Sequence, residues 1–290
     1  MTEPSAKIIC DSISPRGHRL TTMEVVMHRF VLSEFNTHRA FSRNSASSRA
    51  IPLKTQINNL RSATAFPVVW ASEQPGMQGG SEVEPAAKDE AQIIWEHARD
   101  NAIKSAQDLA ALGVHKSLAN RLIEPFVYHV AVISSTEWEN FFTQRVSPLA
   151  QPEMRVVAEY MAACYEGHQP TPLEYGKWHL PYVREEETNG TSYACVNGVD
   201  WREVSAARCC RVSRERQGSV DQDVEADLKT YARLVAPGDG PPHASPLEHV
   251  ATPCPSGFIE EDAHQVLDHK GNFVGFDQLR HKVLGFPMAS

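Results

Sequence analysis

The sequence predicts an α+β fold, an antiparallel sheet packed with helices in a single domain spanning residues 1–290. Three observations predict it. The run MEVVMHRFVL within residues 20–35 is rich in β-branched and aromatic residues, as a long buried strand is. The middle of the chain instead repeats its apolar residues at helical spacing, as in Met154, Val157, Ala158 and Met161. Strand-like segments flank that helical middle rather than alternating with helices, which argues against a parallel, doubly wound sheet.

The elements follow in order. A short strand over residues 7–12 precedes the long one, with a turn at Gly17. Residues 51–64 read as a helix. Residues 66–86 carry Pro67, Pro75, Gly76, Gly79, Gly80 and Pro85, the marks of a long loop. A helix over 87–112 places Ile94, Ala98, Ala102, Ala106 and Leu109 near one face, and Gly113 stops it. Residues 115–123 form a second helix, interrupted at Pro125, and 126–133 a strand-like buried run. Thr136 is placed to cap a short helix through Gln144, and Pro152 suits the first turn of another. Residues 167–200 read as a connector. Residues 204–213 read as a strand with Cys209 and Cys210 on opposite faces. Residues 220–234 read as a helix, closed by a Pro- and Gly-rich run ending at Pro242.

Bulk properties narrow the function classes. The net charge of -8 argues against coating a nucleic-acid polymer, which rewards Lys and Arg clusters. No apolar run approaches the roughly 18 residues of a membrane span, and residues 1–7 lack a secretory signal. Cys10, Cys164, Cys195, Cys209, Cys210 and Cys254 form no CxxC pair and read as reduced thiols, which places the protein in the cytoplasm, or in a host's cytoplasm if it is viral. The histidines form no HExxH, so no metal site is expected.

Residues 36–49 hold Arg39, Arg43, Arg49, His38, two Asn and four Ser, with no acidic residue among them. A solvated loop accounts for such a composition in most proteins. Here the protein is acidic overall, so a local cationic cluster stands out. Guanidinium forks, hydroxyls and backbone donors together are what a small phosphate requires.

The spacing His38-Arg39, Ser42, Asn44, then Ser47-x-Arg49 resembles the signature of the flavin-dependent thymidylate synthases. Thr37 stands where that family has a first Arg, and Ser45 where it has Glu. Ala119-Asn120-Arg121-Leu122-Ile123-Glu124-Pro125 is similar to the family's A-x-R-x-x-L-P element, and Asn140-Phe141 through Arg145, then Ala150-Gln151-Pro152-Glu153, to its N-F-x-x-x-R…A-Q-x-E element. The His usual before Ala-Gln is Leu149 here. Two further elements come late and make the chain look permuted. These are Ala207-Arg208-Cys209-Cys210-Arg211-Val212-Ser213 and His243-Ala244-Ser245-Pro246-Leu247-Glu248-His249, so residues 204–252 correspond to the family's N-terminal part.

The resemblance implies flavin contacts at His38, Arg39, Asn140, His243 and Glu248. It implies nucleotide contacts at Ser47, Arg49, Arg121 and Arg145, with Arg145 the catalytic group against the pyrimidine. A surface ion pair would explain Arg145 alone; three motifs in the family's order outweigh that. The activity implied is reductive methylation of dUMP to dTMP, with FAD as cofactor, methylenetetrahydrofolate and NADPH as cosubstrates, and a homotetrameric assembly. Two alternatives stay open. One is a related C5-methylase or hydroxymethylase of another pyrimidine nucleotide such as dCMP, suggested by Ser45. The other is a non-catalytic flavin- or nucleotide-binding protein, suggested by Thr37 and Leu149.

Overall fold

The computed structural model describes residues 3–212, 223–236, 241–254 and 271–284. A five-stranded sheet organises the matched motifs. It consists of β1 (Ser5–Ile13), β2 (Arg19–His28), β3 (Ser42–Ser45), β4 (Tyr128–Ser135) and β5 (Thr171–Pro172), in the order β3-β4-β2-β1-β5. All neighbours are antiparallel except β1 and β5. Gly17, at φ +83°, makes the β1–β2 turn with the left-handed backbone that the missing Cβ permits.

The long strand is shorter than its apolar run. β2 ends at His28, and a 3-10 turn leads into helix α1 (Leu32–Phe35). Val31 and Phe35, four apart, are both buried, so the apolar spacing has switched from strand to helix inside one hydrophobic run. Part of the polar stretch after it is itself a strand, because β3 finds an edge beside β4, from Ser42↔Ser134 to Ser45↔Ala131.

The helices are α2 (Leu53–Ser62), α3 (Pro85–Ala111), α4 (Lys116–Ala119), α5 (Glu139–Arg145), α6 (Pro152–Gly167), α7 (Trp201–Cys210), α8 (Val224–Val235) and α9 (Leu279–Leu284). Pro85 and Pro152 occupy first-turn positions, where a missing N–H costs nothing. Gly113, at φ +80°, follows the end of α3. The buried face of α3 keeps Ala102, Ala106 and Leu109 of the expected one and loses Ile94 and Ala98. Ile94 is 61% exposed, while Ile103 and Ala106 are buried and Trp95 donates its ring N–H to Ala65 O at 3.1 Å. The large ring and its hydrogen bond choose the face. Thr136 caps no helix; its Oγ1 accepts from Val274 N–H at 2.9 Å. The segment after α4 tightens to a 3-10 helix, Asn120–Phe126, that contains Pro125.

Residues 204–212 are not a strand. α7 starts one turn earlier, where the Asp200 carboxylate caps Arg202 N–H at 3.0 Å. Cys209 and Cys210 are therefore adjacent helical positions, not opposite faces. Arg208, 1% exposed, bonds Asp227 Oδ2, both Glu187 carboxylate oxygens and Tyr182 O, each at 2.8 Å. This buried charge is fully partnered and holds α7 to α8. Ser213, the start of the helix expected from Val220, and most of the run ending at Pro242 lie outside the described residues.

Each face of the sheet has its own cover. Met23, Val25 and Met27 of β2, with Ala131 and Ile133 of β4, pack on Met154, Val157, Ala158 and Met161 of α6 and on Phe35, Phe41, Trp138 and Phe141. The other face meets the C-terminal half of the chain. Val130 and Val132 pack on Val212 and Tyr182. A second core, with Trp178, Leu180, Trp201, Val204, Tyr231, Leu247 and Val250, lies beyond. The stretch 167–200 thus supplies β5 and buried Trp178, His179 and Leu180.

Polar atoms on that second face form one chain. Ser12 Oγ and Thr22 Oγ1 lie 2.9 and 2.8 Å from His179 Nδ1 and Nε2. Thr22 Oγ1 lies 2.6 Å from Ser134 Oγ, which lies 2.8 Å from His249 Nδ1. Both rings are fully buried, and burial pushes each pKa down to about 3; for His249 the neighbouring His179 adds to the shift, while Asp11 opposes it at His179. A group whose folded pKa is depressed leaves stability intact above its unfolded value, 6.5, and removes it as pH falls toward about 3. At pH 5 each ring should cost about 2 kcal/mol. Urea unfolding at pH 7.5 and pH 5 measures the loss; equal stability at the two pH values would show that the rings are not buried and neutral.

Candidate active site

The sequence-predicted residues fall into three places. The first is a cavity of about 950 Å³ lined by His38, Arg39, Trp138, Asn140, Phe142 and Arg145. It joins two motifs more than 90 residues apart. Arg145 ends α5, and its Nε–H donates to His38 Nε2 at 3.0 Å. Its NH1 donates to the Glu34 carboxylate on α1. Arg43 NH1 donates to His38 O at 2.7 Å and Asn36 O at 3.0 Å, which fixes the backbone of this loop. The His38 ring stands perpendicular to Phe141, centroids 4.9 Å apart. Burial lowers the His38 pKa, and the charges of Arg145 and Arg43 lower it further. The ring is therefore neutral near pH 7, which agrees with Nε2 acting as an acceptor. Arg39 and Asn140 are exposed at the rim, and Asn140 Oδ1 accepts from Gln144 Nε2 at 3.0 Å. Trp138 and Phe142 lie nearly parallel, at 13°, with Trp138 itself buried.

The second place holds Ser47, Arg49 and Arg121. Ser47 and Arg49 are exposed on the loop after β3. Buried Asn120 pins this loop, donating from Nδ2 to Ser48 O at 2.6 Å and Ile51 O at 3.0 Å. The next residue, Arg121, is thereby brought beside the loop. It pairs with Glu124 at 3.0 Å, and Glu124 also meets Arg29 at 3.3 Å. Ser48, Ala50 and Glu124 line a second cavity of about 930 Å³.

The third place holds the late element. Its 3-10 turn, Ser245–Glu248, docks on β3. Ser245 Oγ donates to Asn44 Oδ1 at 3.3 Å, and Gln278 Nε2 bridges Ser42 Oγ at 3.0 Å and Glu248 O at 2.8 Å. Glu248 pairs with Arg280, and its charge partly opposes the burial that lowers the Arg43 pKa. His243 is exposed, its N–H bonded to Leu234 O at 2.8 Å. Neither His243 nor Glu248 lines the cavity of His38 and Arg145.

The first two places lie toward opposite ends of β4. Arg121 precedes the strand and Arg145 follows it. The strand has eight residues, so at about 3.4 Å each it is roughly 24 Å long. Sequence reasoning missed Glu34, Arg43 and Asn120. Their signals were present: Glu34 stands four residues before His38, and Asn120 directly before Arg121.

Two groups of arginines thus flank the antiparallel β3–β4 pair. The chain belongs to the thymidylate synthase complementing protein family, whose family model matches residues 11–171. The match runs from β1 into β5 and bears out the resemblance carried by the motifs; α7 and the Ser245–Glu248 turn lie beyond it. Among solved structures the chain is similar to a UMP/dUMP methylase PolB from Streptomyces cacaoi. With 5-Br UMP bound, that structure shares 16% identity at a TM-score of 0.49, covering 58% of this chain and 90% of that one. With 5-Br dUMP the values are 16%, 0.45, 57% and 91%. No curated protein matches the chain. Among the described residues no helix is long and apolar enough to cross a membrane.

Proposed function

We propose that this protein is a flavin-dependent methylase that converts dUMP to dTMP. The observation that carries the reading is the His38–Arg145 contact, which brings residues of two family motifs, with Arg39 and Asn140, into one cavity. A flavin is supported by the cavity's volume, at the upper end of ordinary small-molecule sites of about 300–1,000 Å³, and by a lining that combines aromatic side chains with several polar groups. His38, Arg39 and Asn140 would hold FAD there, whereas His243 and Glu248 lie outside this cavity. Reduced FAD supplies the hydride, NADPH restores the reduced form, and methylenetetrahydrofolate supplies the carbon.

The protein's own work is orientation and charge. Making carbon 5 of the pyrimidine nucleophilic places negative charge on the ring oxygens, and Arg145 stabilises it as a preorganised donor. Ser47, Arg49 and Arg121 anchor the phosphate and turn binding energy into alignment. The homotetramer that the family resemblance implies, closed by symmetry, would let a second copy complete each site. A second reading, another pyrimidine nucleotide such as dCMP, rests on Ser45, which puts a hydroxyl on β3 where the family pattern has a carboxylate.

The test is a product assay with FAD, NADPH and methylenetetrahydrofolate, offering dUMP and dCMP separately. Methylated dUMP is expected, and Arg145→Lys, which keeps the charge but not the planar fork, should lose most turnover. Product from dCMP alone would move the reading to the second nucleotide, and product from neither would remove it. Arg49→Ala and Arg121→Ala should each weaken dUMP binding about 10- to 100-fold by calorimetry, the worth of one charge-assisted contact; unchanged affinity in both would detach these residues from the phosphate. Mixing inactive His38→Ala with inactive Arg121→Ala should recover part of the activity, because hybrid assemblies contain some intact sites. A fully active monomer in light scattering would rule out the shared site.

A further inference from the structure

Arg145 is held before any ligand arrives. Its Nε donates to His38 and its NH1 to Glu34, and among the described residues its NH2 takes no hydrogen bond. Glu34 lies on α1, beside Phe35, which is fully buried and meets Phe141 of α5 edge-on with centroids 5.5 Å apart. Thr37 Oγ1 donates to Glu34 O at 2.7 Å and closes the turn that leads to His38. The two contacts on Arg145 thus come from one short segment, residues 34–38, locked to α5 by aromatic packing.

We propose that Glu34 is the positioning residue for Arg145. A guanidinium is planar, so fixing Nε and NH1 fixes the whole plane and the direction of the third nitrogen. His38 alone fixes one point and leaves the group free to swing. With Glu34 as the second point, NH2 is presented in one direction at the edge of the cavity. A donor already aligned loses little freedom when charge develops on its partner. Glu34 also balances positive charge where Arg145, Arg43 and Arg39 converge on the His38 loop. The catalytic part of this inference rests on the functional reading above; the positioning part does not.

Two measurements separate them. The first uses NMR to titrate the His38 ring in the full chain without ligand. The charged groups around that ring are Arg145 of α5, Arg43 of β3 and, through Arg145, Glu34 of α1. In the wild type His38 should titrate below its ordinary value. In Glu34→Ala the guanidinium leaves, its charge no longer opposes protonation, and the His38 pKa should rise. Glu34→Asp, too short to reach, should do the same and stands in if the alanine variant does not fold. Glu34→Gln keeps an acceptor oxygen, so His38 should stay low. A His38 pKa that is unchanged or lower in both Glu34→Ala and Glu34→Asp would show Arg145 still in place, and would overturn the proposal. The second measurement is steady-state kinetics. Glu34→Ala should lower kcat about 10- to 100-fold with little change in KM, and Glu34→Gln should recover most of the rate. A loss confined to KM would overturn the catalytic part. A wild type inactive on every pyrimidine nucleotide would count against the functional reading, while the titration still decides the positioning.

Discussion

β2 and β4 face each other over eight residues, from Thr21↔Ser135 to His28↔Tyr128, and almost every side chain on both strands is buried. A ladder buried on both sides needs two covers. α6 with the Phe35–Phe41–Phe141 cluster supplies one, and the chain after residue 171 supplies the other. The second cover has a polar requirement. Thr22 and Ser134 put hydroxyls on that face, and a buried hydroxyl without a partner costs about 1–3 kcal/mol. His179 and His249 meet them. Their hydrogen bonds bring two distant segments, around residues 178–182 and 245–253, onto the ladder. The docking of the C-terminal half thus extends a polar chain that Thr22 and Ser134 begin with each other.

The same ladder sets the candidate site. β2 ends where α1 begins, which places Glu34 and His38; β4 is entered from Arg121 and left toward Arg145. β3 joins the two groups as an edge strand, with the His38 loop before it and the Ser47–Arg49 loop after it. Shifting the register of β3 on β4 would move both loops together. Moving one alone would require breaking a side-chain hydrogen bond, either from Arg43 of β3 to His38 O or from Asn120 to Ser48 O.

What could be read in advance follows from this hierarchy. Strands β1, β2 and β4 and helices α3 and α6 were legible because burial imposes periodicity and Pro and Gly mark ends. The switch from β2 to α1 was not, since the run to Phe35 stays apolar in either conformation and only the partner strand decides where pairing stops. α7 was misread for a related reason. Val204 and Val212 suggest a strand, but the Asp200 cap and the buried Arg208 network, whose partners lie 19 and 21 residues away, outweigh local propensity. At the site, the motif residues were legible as chemistry, while their grouping was not. Nothing in the spacing of His38 and Arg145 says that they touch, whereas Arg49 and Arg145 go to different ends of β4.

The arginines differ in how tightly they are already held, and the difference suits different tasks. Among the described residues Arg121 pairs with Glu124 alone, at a surface where its side chain is 54% exposed. Such a pair contributes about 0–1 kcal/mol, so the phosphate proposed to bind there would displace it at little cost. Arg49 and Arg39 are exposed as well, and none of the described contacts engages their guanidinium groups. Under the proposed function these would be the groups that first meet the ligand. Arg145 is the opposite: 20% exposed, fixed at two nitrogens, against an aromatic cluster. Holding it costs conformational entropy at folding rather than at binding, which is the condition for an electrostatic donor that must be aligned when charge develops. In an acidic chain, the carboxylates of Glu124 and Glu34 thus serve two ends. Each partners an arginine while the ligand is absent, one loosely enough to be displaced and the other firmly enough to aim.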